Sequence, residues 1–199
     1  MPVLRLLISN ELKKWLKSKM IRMENKNMLQ KEKTDHWSSV TLETSEYAQK
    51  AMAIFKEGYN CSQSVLLAFE DCYDMDRKTA LMLSSSFGGG MGRLREVCGA
   101  VSGMFMVAGL LYGYDDPKDM GAKTDHYARI QELARRFEQE NGSIVCRVLL
   151  GLGEGKDSHV PEKRTEEYYK KRPCGQMVGI AAMIMENYIR EQMKDVALY

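Results

Sequence analysis

The sequence predicts an all-α fold, a single-domain multi-helix bundle with cysteines at its helix N-termini. Three observations lead there. Apolar residues recur at helical spacing in segment after segment, the breaks fall at glycine, proline and capping residues, and strand signals are nearly absent. A chain of 199 residues that is 44% hydrophobic and 28% charged is long enough for one core and too apolar for general disorder.

The chain divides into a basic N-terminal extension, residues 1–43, and a helical domain, residues 44–195. Met1 to Lys33 holds nine Lys/Arg against three acidic residues, so it carries +6 and the remainder −4. Leu4, Leu7, Ile8, Leu12 and Trp15 recur at helical spacing with lysines between them. That pattern admits a surface amphipathic helix against a membrane or a partner, a loose polar extension, or, with Met20, Met23 and Met28 as alternative starts, a stretch partly outside the native chain. Its apolar run follows no basic n-region and ends without a small-residue cleavage site, so export is not expected. No apolar run reaches the roughly 18 to 20 residues that span a bilayer. A cytoplasmic protein with no transmembrane segment and no nucleic-acid partner is the expectation, and homodimerisation stays open.

After a polar linker, Ser45–Glu57 reads as the first helix, with Ala48, Ala51, Met52 and Phe55 on one face and Gly58 as its stop. Asn60 caps a second, Cys61 to about Tyr73, striped by Val65, Leu66 and Phe69. Asp76 caps a third that ends in the glycine loop 87–92. REVCGAVSGMFMVAG (95–109) opens a fourth, apolar nearly all round and therefore central, with Gly99 and Gly103 one turn apart so that neighbouring backbones approach closely. The fifth, Asp119–Glu140, is long and charged, with Tyr127, Ile130, Leu133, Ala134 and Phe137 inward and Asn141-Gly142 as its end. Ser143 restarts a short helix to Leu152, the glycine-rich loop 151–163 is a flexible connection to a polar helix, and Pro173 opens the last, Cys174 to about Lys194.

Against these boundaries four of the five cysteines fall in first turns: Cys61, Cys98, Cys146 and Cys174. A helix start offers unpaired N–H groups and a partial positive charge, which favour a thiolate over a thiol. Arg93, Arg95, Arg147, Lys171 and Arg172 add cations nearby. Thiolates are what metal sites and redox chemistry require, and a reducing compartment leaves cysteines to those roles. The plainer alternative is that each is a small buried apolar residue. Cys72, eleven residues beyond Cys61, would lie about 16 Å along a continuous helix and share no small site with it. The spacings of 37, 48 and 28 residues contain no C-x-x-C pair, so zinc-ribbon, ferredoxin and thioredoxin patterns do not apply, and tertiary folding must assemble any site.

Other motifs read more weakly. FGGGMGR follows a helix and lacks the lysine and hydroxyl of a P-loop. Asp71, Asp74 and Asp76 lack the glycine and glutamate of a calcium loop. His36, His126 and His159 form no ligand pair, Glu96 is either a proton shuttle or a solvated carboxylate, and the fifteen methionines read as core filling.

GYNCSQSV (58–65), FGGGMG (87–92), CGAVSG (98–103), GSIVC (142–146) and PC (173–174), in this order, resemble the redox-active family named for its C_GCAxxG_C_C cysteine pattern. The resemblance spans roughly Ser45 to Arg190, and one departure is that Cys98 precedes its glycine instead of following it. A related domain in split-Soret cytochromes carries an iron–sulfur cluster. The resemblance therefore implies Cys61, Cys98, Cys146 and Cys174 as ligands of such a cluster, [2Fe-2S], in electron transfer with an unidentified redox partner protein. No C-x-x-C-H occurs for covalent haem attachment. Two alternatives stand beside it: a cluster-free thiol–disulfide oxidoreductase working through two of the four thiols, and a protein with a closed zinc site of four thiolates.

Overall fold

The computed structural model describes residues 39–154 and 157–197. Its helices are α1 (Glu46–Lys56), α2 (Cys61–Ala68), α3 (Arg77–Ser85), α4 (Gly99–Tyr112), α5 (Met120–Asn141), α6 (Cys146–Leu149), α7 (Glu166–Lys171) and α8 (Cys174–Ala197), with a glycine turn, Gly88–Met91, between α3 and α4. Among the described residues there is no strand, only an antiparallel bridge between Val97 and Val145. The basic segment up to residue 38, and with it the amphipathic reading of Leu4 to Trp15, lies outside the described residues.

The helix starts follow from local chemistry. Side chains of Ser45, Asn60, Asp76 and Asp119 each accept a hydrogen bond from the N–H three residues on, satisfying donors that an N-terminus leaves unpaired. Asn60 and Gln63 do so reciprocally, in a capping box. At the far end of α5, Gly142 closes the helix in the left-handed region.

The core forms around α4, which buries Val101, Met104, Val107, Ala108 and Leu111; each large side chain among them contributes about 1.5–3 kcal/mol. It packs on α2, α5 and α8, and α8 also covers α1 and α2. The α2–α4 contact is close because of two glycines. A Cβ on Gly103 would stand 2.7 Å from the Ser62 carbonyl and 2.9 Å from Val65 Cβ, and one on Gly99 would stand 3.1 Å from Cys61 Cβ. The Ser45 hydroxyl donates to the buried Glu186 carboxylate of α8 at 2.6 Å and fixes α1 against it.

Three expectations need correcting. Helix α2 ends at Ala68 rather than near Tyr73: Phe69, Glu70 and Cys72 donate to carbonyls three residues back, and the Tyr73 hydroxyl takes the Leu66 carbonyl at 3.0 Å. Fully buried Phe69, stacked on Tyr47 with ring centroids 4.2 Å apart, pins that tighter turn. On α5, Tyr127 faces solvent and Arg129 is buried in its stead. The guanidinium lies 4.8 Å from the Tyr112 ring centroid and donates to the Tyr188 hydroxyl at 2.9 Å, which satisfies a charge that would otherwise oppose burial. On α1, Ala48, Ala51 and Phe55 are buried as expected, but Ile54 joins them and Met52 is only half-buried. No described helix is long and apolar enough to cross a membrane.

Candidate functional site

Helices α2, α4 and α8 pack on one another. Each begins on a cysteine: Cys61 and Cys174 are first residues, and Cys98 is the N-cap of α4. The fourth thiol arrives differently. Around the Val97–Val145 bridge, Cys98 N–H donates to the Ile144 carbonyl at 2.8 Å and Cys146 N–H to the Glu96 carbonyl at 2.7 Å, setting Cys146 at the start of α6 beside Cys98. Cys61, Cys98, Cys146 and Cys174 thus line one cavity of about 270 Å³, all four as free thiols. Cys72 lies elsewhere, with its sulfur 3.1 Å from the Tyr47 hydroxyl.

One wall of the cavity is the glycine turn, which supplies Gly88, Gly89, Gly90 and Gly92. The backbone from 89 to 95 is left-handed at six positions, three of them the non-glycine residues Met91, Arg93 and Arg95. Such residues cost of order 1–3 kcal/mol each, and they persist only where surrounding contacts over-determine them. Gly90 is the position of closest approach. At φ +69°, a Cβ there would stand 2.6 Å from Cys146 Cβ and 3.0 Å from the Arg95 backbone.

The four sulfurs are electrostatically unequal. The Cys174 thiol donates to Cys61, and with the Gly89 N–H and the Arg164 guanidinium it holds the Cys61 thiol down to about 7 despite burial. Cys174, whose proton stabilises its neighbour, is pushed up. Burial and the adjacent Cys61 charge push Cys98 up to about 12. Burial also raises Cys146, against the pull of Arg95, whose Nη1 stands 3.9 Å from its sulfur. The site therefore holds one sulfur pulled toward the thiolate and three pushed toward the thiol.

The rim is built from arginines. Arg93, Arg95, Arg164 and Arg172 line the cavity together with His159, Glu162 and Tyr168. Asp157 accepts from Arg93 at 2.9 Å and from Arg95, and Glu162 accepts from Arg172. The segment expected as a flexible connection thus reaches the cavity as an ion-paired strap. Sequence reasoning named the glycine loop but not its place against Cys146, and it missed the strap, because Asp157 lies roughly 60 residues along the chain from Arg93 and Arg95. The available signal was the cation-rich flank of Cys98, Cys146 and Cys174. Glu96 acts through its carbonyl on Cys146, and its side chain is exposed. His126 bonds Arg129 away from the cavity.

The donor chemistry fits a group that thiolates hold: four sulfurs from four segments, helix-start N–H groups and guanidinium charge converge on one space. Among the described residues no three Cys, His, Asp or Glu side chains already stand as a metal-binding group. No curated protein and no solved structure matches the chain. The sequence model of one family matches residues 59–188, a span that includes all four cavity cysteines, the glycine turn and the ion-paired strap, and the chain belongs to that family, described as "Putative redox-active protein (C_GCAxxG_C_C)".

Proposed function

We propose that the cavity is an electron-transfer site in which Cys61, Cys98, Cys146 and Cys174 hold a [2Fe-2S] cluster and exchange electrons with a redox partner protein. The observation that supports this best is the lining of one cavity by four thiols from four separate segments, each at a helix start. Such a cluster, when bound, supplies a one-electron couple whose potential follows local charge and hydrogen bonding. The chain's own residues do the rest. Helix-start N–H groups offset negative charge on the sulfurs, Arg95 and Arg164 add positive charge beside Cys146 and Cys61, and the buried positions of Cys98 and Cys146 keep water from two of the four.

Anaerobic purification tests the reading. Iron and acid-labile sulfide in equal amounts, with visible absorbance, are expected. Each of Cys61→Ser, Cys98→Ser, Cys146→Ser and Cys174→Ser lowers loading, and Cys72→Ser leaves it unchanged. A colourless protein with stoichiometric zinc replaces the cluster by a closed thiolate site, and normal loading in any of the four variants removes that residue from the ligand set.

One observation favours a second reading, a dithiol. Cys174 keeps its proton and hydrogen-bonds the Cys61 sulfur, which favours the Cys61 thiolate. Cys61 attacks a disulfide of the partner, which leaves as a thiol, and Cys174 then closes an internal disulfide. The chain loses two electrons and two protons, and the partner disulfide gains both as two thiols. Metal-free protein whose Cys61 and Cys174 oxidise reversibly as a pair supports this reading over the first.

A further inference from the structure

We infer that the mouth of the cysteine cavity is a binding site for an anionic redox ligand, whose carboxylate or phosphate takes the places that Asp157 and Glu162 now hold on Arg93, Arg95 and Arg172. This rests on the cavity being the redox site and names the class of molecule it admits.

Four guanidinium groups face one cavity, with two carboxylates on them, which leaves a surplus of two positive charges. The surplus stays positive when one thiol ionises. The arginines are also poorly hydrated: their side chains are 17% exposed for Arg93, 5% for Arg95 and 19% for Arg172. Unpaired, guanidinium groups so desolvated would be costly, so some anion must always sit there. Arg164 has no carboxylate partner among the described residues. It donates to the Phe55 carbonyl at 3.0 Å and lies 4.4 Å from the Phe55 ring centroid, so it faces the cavity held from behind.

The present occupants belong to a replaceable element. Asp157 accepts from Arg93 at 2.9 Å and from both Nε (2.7 Å) and Nη2 of Arg95; Glu162 accepts from Arg172 and lies 3.7 Å from Arg93. Both stand on the strap 157–163, where every residue is exposed and no side chain belongs to the core. Its hold on the cavity is ionic, helped by Arg93 Nε donating to the Ser158 carbonyl at 2.5 Å. A ligand carboxylate offers the same fork-shaped acceptor with the same charge, and a phosphate offers such a fork with a larger one. Exchanging one for the other leaves the arginines paired and uncovers the route to Cys61 and Cys174. A cationic ligand would have to enter against the surplus.

The test compares two alkylating agents of nearly equal size, anionic iodoacetate and neutral iodoacetamide, on the reduced full chain after chelation of metal, with adducts located by mass spectrometry. At low salt, the iodoacetate-to-iodoacetamide rate ratio at Cys61 is expected to exceed that of the urea-unfolded chain by about tenfold. Inorganic phosphate should slow iodoacetate more than chloride does at equal ionic strength. Arg164→Gln should lower the ratio, and the Asp157→Asn/Glu162→Gln pair should raise it, with circular dichroism confirming that each variant folds. A ratio at or below that of the unfolded chain overturns the proposal. So does an equal acceleration of both reagents in the double variant, which would make the strap a simple shield. The reading is separable from the cluster: iron-free protein with a raised ratio refutes the cluster alone, and iron-loaded protein whose chelated form shows no raised ratio refutes the anion site alone.

Discussion

Replacing Gly90 by alanine asks whether the glycine turn sets the position of Cys146. Two costs arise. An L-residue at φ +69° pays about 1–2 kcal/mol for the left-handed backbone alone. The new Cβ would also stand 2.6 Å from Cys146 Cβ, 3.0 Å from Arg95 Cα and 3.0 Å from Glu96 N. These neighbours are short-stemmed or backbone atoms, bound in turn by the Glu96–Gly90 and Cys146–Glu96 hydrogen bonds, so they cannot swing aside. Overpacking of that kind adds about 1–3 kcal/mol, for a total of about 2–5 kcal/mol. Gly142→Ala is the internal control: its φ is +81°, but nothing stands within 4 Å of its Cβ, so it carries only the backbone cost. Urea unfolding followed by circular dichroism measures both. Gly90→Ala should lose at least about 1 kcal/mol more than Gly142→Ala. Equal losses would show that the turn does not press on Cys146, and the account of the cavity wall would fail.

Two further outcomes follow from the same contacts. In the metal-free chain Cys61 should alkylate with a midpoint near pH 7, the rate rising as pH rises because only the thiolate reacts; Cys174→Ala, which removes the largest cause of the lowered value, should move that midpoint upward. A midpoint unmoved by the substitution would mean that Cys174 does not hold the charge. Tyr112 buries a hydroxyl that has no hydrogen-bond partner among the described residues, so Tyr112→Phe should leave stability unchanged or raise it by up to about 1 kcal/mol in urea unfolding. A loss beyond about 0.5 kcal/mol would reveal a partner for that hydroxyl.

Some of the site was open to reading along the chain. Asn60 before Cys61 and Pro173 before Cys174 mark helix starts by local chemistry that needs no tertiary contact. The central position of α4 follows from its apolar circumference, and its glycines from the need for close approach. The end of α2 was not legible, because the Phe69–Tyr47 stack that holds the turn joins residues from two helices. Nor was the burial of Arg129, which depends on Tyr112 and Tyr188 arriving from α4 and α8. The strap was taken for a mere connection because Asp157 meets Arg93 and Arg95 only across the fold.

What the sequence by itself determined is therefore local: an all-helical chain, and four thiols each placed at a helix start, since caps, glycine stops and helical periodicity act within a few residues. Only the tertiary structure decided that these starts face one cavity and that the sulfurs differ in charge. Packing α2, α4 and α8 side by side brings three cysteines to one end, the Val97–Val145 bridge delivers the fourth, and arginines distant in sequence set the field around them. Such pairings are energies between residues far apart in the chain, which no local pattern records.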